Sequence, residues 1–366
     1  EAARPVPAPG PAPDAAPDAA TPAAAVAEPS AEAGPPPAVI ENTNLALGLA
    51  GVHDWSVAQP FVDVMRTARE WTGHLPGQFG GWGHAELAAG GWLDPETGWL
   101  RGIPPGLTHV SALILTSLPA ESLSAAGRYR VTWAGQGTLR LSGGATVVSQ
   151  RPGELWFDYA PNPGTVMLDI TAIDPADPIR DIAVVHERNI AAHAAGEIFD
   201  PLYLSRLRGV RMVRFMDWAQ TNGSPIATVD DLPRVTDYQW TRRGVPLEIQ
   251  IALANRLGAD AWFNVPHLAD DALIRHMAVT VRDTLDPSLK AYVEFSNEVW
   301  NFGFAQAQWA EEQGRARWGQ PGLYAEYYAL RTVETGAIWA EVFGDAAPQR
   351  LRRVIATQTG WIGRED

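Results

Sequence analysis

Apolar and polar positions recur along this chain in two different rhythms. The run "LALGLAGV" (45–52) reads as a strand that ends in His53, Asp54 and Trp55. In "QPFVDVMRTAREW" (59–71), Phe61, Val64, Met65 and Ala68 fall at helical spacing. Strand, polar turn and helix make one β/α unit. From 75 the period changes to short alternating runs: "HVSALILTSL", "GRYRVTWAG", "GTLRLSG", "GELWFDYA", "GTVMLDITAI" and "RDIAVVHE". Tyr129, Val131 and Trp133 share one face, and "AGQGT" is a turn between two runs. Short strands at this spacing predict a β-sandwich, placed as an insertion at 75–190.

Strand-then-helix periodicity resumes after 191. "VRMVRFMDW" (210–218), "DAWFNVPHLAD" (260–270), "AYVEFSNEVWN" (291–301) and "RRVIATQTGW" (352–361) are strands. "VPLEIQIALANRLG", "DALIRHMAVTVRDTL" and "YAEYYALRTVETGAIWAEVFG" are helices, the first stopped by Gly258 and the last by Gly344. Such a repeat predicts an α/β fold with a parallel sheet and crossover helices. The organisation is then a linker at 1–38, a first β/α unit at 39–74, the sandwich at 75–190, and units two to five at 191–366. The linker is nearly all Ala and Pro with scattered acids, a composition that cannot bury a core and predicts a disordered spacer.

Charged and aromatic residues gather just after the parallel strands: His53, Asp54 and Trp55, Asp217 and Trp218, Asn264 and His267, Asn297, Glu298 and Trp300, and Trp361. In a (β/α)8 barrel this C-terminal rim carries the active site. Strand parity sharpens the picture. Tyr292, Glu294 and Ser296 share one face, Val293 and Phe295 the other. The aliphatic face suits the helix layer. Glu294 then lies deep on the polar face and needs a cation, for which Arg214 on the neighbouring strand is the candidate. Asn297 and Glu298 are where the alternation is expected to break.

The pair Asn297–Glu298 at the end of the fourth parallel strand resembles the retaining glycoside hydrolases of clan A. The longer string "LANRLGADAWFNVPHLADD…LDPSLKAYVEFSNEVWN" is similar to bacterial exported proteins described as cellulose-binding or glycosidase-like. The resemblance covers 200–366 together with 45–72. It implies a (β/α)8 barrel in which Glu298 is the general acid/base and Asn297 binds the sugar 2-hydroxyl. It also implies a nucleophilic Glu at the end of strand seven. The chain supplies five strands, so it is expected to be a piece of a longer protein, truncated after the fifth strand and without hydrolytic activity by itself. A retaining enzyme needs two carboxylates about 5–5.5 Å apart; within the chain Asp54 and Asp217 are the candidates for the second, and nothing in the sequence sets their distance from Glu298. Trp55, Trp218, Trp300 and Trp361 are candidate sugar-stacking surfaces. His53, Asp54, Asp217, Asn264 and His267 are candidate hydroxyl ligands.

Composition narrows the partners. A net charge of -14 argues against nucleic acid and against an anionic membrane surface. No apolar run is long enough to span a membrane. Cysteine is absent, so disulfides and thiolate metal sites are excluded. The 15 tryptophans are more than core packing alone requires and fit sugar recognition. No phosphate loop or nucleophile elbow is present, the histidines lack metal spacing, and no cofactor is expected. "NGS" at Asn222 matches a glycosylation acceptor. The first residue is Glu1, not Met, as expected either from trimming of the chain or from removal of a leader, the latter fitting a secreted or periplasmic bacterial protein. Two functions follow: a glycoside hydrolase acting on a poly- or oligosaccharide, or a non-catalytic binder of a cellulose-like polysaccharide that uses the sandwich.

Overall fold

The computed structural model describes residues 44–361 and 363. The Ala/Pro-rich segment at 1–38 lies outside them. The described chain is a mixed α/β structure with one parallel and two antiparallel sheets.

Strand β1 (Ala46–Gly48) opens the parallel sheet, and the chain then leaves it for the antiparallel part. There it forms β2 (Thr72–His74), β3 (Gly81–Trp82), β4 (His109–Ile114), β5 (Gly127–Ala134), β6 (Gly137–Gly143), β7 (Ala145–Arg151), β8 (Glu154–Tyr159), β9 (Val166–Ile173) and β10 (Arg180–His186). Strands β10-β5-β8-β7 make one sheet and β3-β2-β4-β9-β6 the other. The inward alternating residues of both sheets, such as Tyr129, Val131 and Phe157 facing Val110, Leu168 and Ile170, share one apolar core. The turn after β5 is not a hairpin. It carries the chain from one sheet to the other at Gly135, whose φ of +86° and 2.1 Å approach of a notional Cβ to the Pro178 carbonyl admit only glycine.

The helix expected over 61–68 is a single 3-10 turn, Val64–Thr67. Tertiary pairing overrides the local period here. Phe61 and Asp63 bridge to Phe199 and Val185, and the Asp63 carboxylate accepts the Met65 and Val184 N–H groups. The segment is thereby held extended and feeds directly into β2, so the antiparallel part begins before residue 75.

The chain returns to the parallel sheet with β11 (Met212–Arg214), β12 (Asp260–Val265), β13 (Ala291–Phe295) and β14 (Leu351–Val354), in the spatial order β1-β11-β12-β13-β14. Helices α1 (Leu247–Leu257), α2 (Asp271–Thr284), α3 (Ala305–Trp318) and α4 (Tyr324–Phe343) lie in the crossovers. Gly258 ends α1 in the left-handed conformation at φ +62°, as its place in the sequence predicts. Asp270 caps α2 by accepting the Leu273 N–H at 2.7 Å. Val213, Phe263, Val293 and Phe295 pack with Leu273, Met277 and Trp339 from the helices. Each such side chain contributes about 2–3 kcal/mol by leaving water. Alternation sends Arg214, Trp262, Asn264, Tyr292 and Glu294 to the opposite face.

Candidate functional site at the C-terminal end of the fourth parallel strand

Register brings the polar face together. Arg214, Trp262 and Tyr292 are successive partners across three strands, and Asn264 is paired with Glu294. The Glu294 side chain is fully buried. Its Oε2 accepts from Arg214 Nη2 at 2.7 Å, Trp262 Nε1 at 2.8 Å and Asn264 Nδ2 at 2.8 Å. The Arg214 guanidinium also lies 4.9 Å from the Trp262 ring centroid, and Trp262 stacks on Tyr292. Charge-assisted bonds of this kind offset the cost of burying the ion pair. Glu294 Oε1, Asn264 Oδ1, Arg214 Nε and Ser296 Oγ are buried and form no hydrogen bond among the described residues. Unsatisfied groups cost about 1–3 kcal/mol each, and these four gather on the polar face of three neighbouring strands, β11, β12 and β13.

The strand then breaks. Ser296 donates its N–H to Val265 O, which extends the ladder by one residue. Its φ of +59° and that of Glu298 at +43° are left-handed for residues with side chains, a cost of about 1–3 kcal/mol each. Breaking the alternation turns Asn297 onto the polar face. Its Oδ1 accepts from Arg214 Nη2 at 3.0 Å, and its Nδ2 donates to Asn222 Oδ1 at 3.0 Å. Gln306, fully buried at the start of α3, donates to both Asn222 Oδ1 and Asn297 O and accepts the Gly223 N–H. Glu298 stands half-buried at the rim, with its Oε2 taking the Asn301 amide at 3.0 Å.

Beside Glu298 opens a cleft of about 320 Å³ between the ends of β13 and β14 and the start of α4. Trp300, Tyr324, Glu326, Tyr328 and Ile355 line it. Burial pushes the Tyr328 hydroxyl up to about 12. The group is therefore a neutral hydrogen-bonding partner, and it accepts the Ala356 N–H at 2.9 Å.

At the end of β1 the three predicted residues have different fates. His53 stacks on Trp55 with centroids 4.5 Å apart, and the Arg69 guanidinium lies against the same indole. Burial lowers the His53 pKa, against the raising effect of Asp54 and Asp217. Asp54 is buried, with both oxygens held by Arg69 at 3.1 and 2.9 Å and one also by Thr116. Its carboxylate ties the strand-one loop to the antiparallel part. Asp217 is exposed. Trp218, only 1 % exposed, packs among Phe61 and Phe215 in the core and offers no stacking face. His267 is buried with its ring edge-on to Trp309, and burial pushes its pKa down to about 4. Trp361 is exposed, its N–H on Gln358 O.

Of the predicted residues, then, Asn264 and Asn297 meet in one network through Glu294 and Arg214. Glu298 and Trp300 adjoin that network on the same loop. Sequence reasoning missed Trp262, Asn222, Gln306 and Tyr324. Parity from Asn264 would have found Trp262. Asn222 stood out only as part of "NGS". No group of three His, Cys, Asp or Glu side chains is placed to hold a metal among the described residues, and no described helix is long and apolar enough to cross a membrane. Compared with known proteins, the chain matches no protein-family model, no curated sequence and no solved structure.

Proposed function

We propose that this chain carries the acid/base end of a retaining glycoside hydrolase site, with Glu298 as proton donor, Asn297 as sugar-hydroxyl ligand and Trp300 as part of the stacking rim. The five parallel strands are then part of a (β/α)8 barrel, and the substrate is an extracellular poly- or oligosaccharide. One observation carries the reading. The strained turn at Ser296 and Glu298 directs Asn297 onto Arg214 and Asn222 and leaves Glu298 half-buried, immediately before Val299 and Trp300, which line the aromatic cleft. Backbone strain held in place by buried hydrogen bonds is characteristic of sites that position a reacting group.

A binding-only role draws on the cleft itself. Trp300, Tyr324 and Tyr328 suit a sugar ring without any proton transfer. One experiment separates the two. The full-length protein, with the strands that complete the barrel, is titrated with a panel of β-linked oligosaccharides, and aryl glycosides with poor leaving groups are assayed in the same preparation beside Glu298→Gln. Saturable binding lost in Trp300→Ala, with aglycone release falling about 10²–10⁴-fold in Glu298→Gln, supports the hydrolase. Binding without release by either form assigns the cleft to recognition alone. Absence of binding to the whole panel overturns both.

A further inference from the structure

Away from Glu298, a second cavity of about 420 Å³ lies where the loop after β3 meets the long loop before α1. Its lining is mixed: Leu93, Pro95 and Tyr238 are apolar or aromatic, and His84, Arg242 and Arg243 are polar or basic. Arg242 also lines an adjoining cleft of about 190 Å³ that runs to the stack of His53, Trp55 and Arg69 at the end of β1.

The charge at this place runs against that of the protein. In a chain of net charge -14, two consecutive guanidiniums face one cavity. Arg243 donates Nη1 to the Asp231 carbonyl and forms no ion pair among the described residues. Arg242 Nε is 3.4 Å from the Glu70 carboxylate, whose pKa is raised by its own burial. His84 is pushed down to about 4, first by burial and then by the charges of Arg242 and Arg243. Its ring is therefore neutral at ordinary pH. Its Nδ1 is buried without a hydrogen-bond partner, and Glu70 is 4.0 Å away. The two acids on the cavity wall are already engaged. Asp94 is held by Arg101 and by the turn at Glu96 and Thr97, and Asp237 Oδ2 takes the Arg234 N–H. What the cavity offers a ligand is the Arg243 guanidinium, which Asp231 and Asp237 balance only at longer range, the Arg242 guanidinium shared with Glu70, and the neutral His84 ring.

We infer that this cavity binds the carboxylate of a uronic-acid residue in an acidic glycan. Arg243 and Arg242 take the carboxylate, His84 takes a ring hydroxyl, and the chain of the glycan continues past Arg242 into the cleft at Trp55. A planar carboxylate matches the fork of a guanidinium. The apolar wall and a volume well beyond that of a lone anion suit a sugar ring. The inference deepens the carbohydrate reading above by naming its substrate class, and it rests on that reading for the sugar.

The test compares oligogalacturonates and oligoglucuronates with their neutral counterparts by calorimetry on the full chain. Expected are binding of an acidic oligomer about tenfold tighter than the neutral one, weakening as salt is raised, and loss of that preference in Arg243→Gln with partial recovery in Arg243→Lys. Melting temperatures within error of the parent exclude misfolding, since the Arg243 side chain leaves only one backbone hydrogen bond. Equal binding of neutral oligomers, or an acidic preference untouched by Arg243→Gln, overturns the inference. Equal binding of a simple dicarboxylate overturns its sugar part and assigns the cavity to free organic acids. The two proposals fail separately. An acidic preference that depends on Arg243 and survives Glu298→Gln stands even if no glycoside is hydrolysed. Hydrolysis of neutral glycans alone leaves Glu298 in its role and removes this one.

Discussion

Arg214 on β11 and Glu294 on β13 meet across the intervening strand β12 through a single nitrogen that serves two acceptors: Nη2 is 2.7 Å from Glu294 Oε2 and 3.0 Å from Asn297 Oδ1. The buried carboxylate thus fixes the guanidinium, and the guanidinium fixes the amide that precedes Glu298. Replacing Arg214 by Met leaves Glu294 buried with Trp262 and Asn264 as its remaining donors. The expected loss is about 3–5 kcal/mol of unfolding free energy, read from the urea midpoint at neutral pH. A loss below 1 kcal/mol, on the order of a surface ion pair, would show that water reaches the carboxylate.

Ser296 is held at φ +59° with its hydroxyl buried and unpaired. Glycine adopts that conformation without strain. Ser296→Gly is expected to stabilise the protein by about 1 kcal/mol while weakening oligosaccharide binding, because the turn before Glu298 loosens. Thermal melts and calorimetry on one preparation check both halves, and a destabilised variant refutes the strain account.

Asp54 answers a different question. Its carboxylate joins the strand-one loop to Arg69 and Thr116. Asp54→Asn is expected to cost about 3 kcal/mol of stability with ligand affinity at the Trp300 cleft unchanged. A selective loss of affinity in a stable variant would restore Asp54 to the binding residues.

Acid sensitivity follows from buried histidines. His267 protonates near 6.5 when unfolded but only at about 4 in the fold, because burial disfavours its charge. Between those values the unfolded chain binds the extra proton, so stability is full above pH 6.5 and falls as pH is lowered toward 4. His267 alone accounts for roughly 2 kcal/mol between neutral pH and pH 5. The urea midpoint should drop across that window, and His267→Gln should flatten the drop.

Gln306→Ala removes the donor shared by Asn222 and the Asn297 carbonyl and orphans the Gly223 N–H. A cost of about 2–3 kcal/mol is expected. Faster hydrogen exchange should be confined to the loops around 222 and 297; exchange that rises evenly over the whole sheet would contradict the local account.

Much of the parallel sheet was legible because strand parity and helix period are local. Residues 260–265 and 291–295 fall where the sequence puts them, and Glu294 finds Arg214 on the polar face, although Arg214 reaches it across β12 and not from the neighbouring strand the sequence suggested. What failed to read through was long-range. The period over 61–68 is helical, yet pairing with Val185 and Phe199 holds the segment extended. Trp218 follows a strand just as Trp300 does. The turn that returns the Ala219 and Thr221 N–H groups to Phe215 and Met216 leaves it buried against Phe61. Asn222 and Gln306 are 84 residues apart and carry no signal that they meet.

The antiparallel part also bears on how the chain reaches its fold. Ala46 pairs with Met212 across the whole intervening segment, and closing so long a loop directly is slow. Once folded, that segment brings its own ends together: Val62 N–H reaches Ile198 O, and Phe61 bridges to Phe199. It then acts as a clasp that shortens the effective search between β1 and β11. Addition of β1 to the parallel sheet is therefore expected to wait on the antiparallel part, and the slowest folding phase should respond to substitutions at Tyr129 or Phe157, far from the strand whose docking it limits.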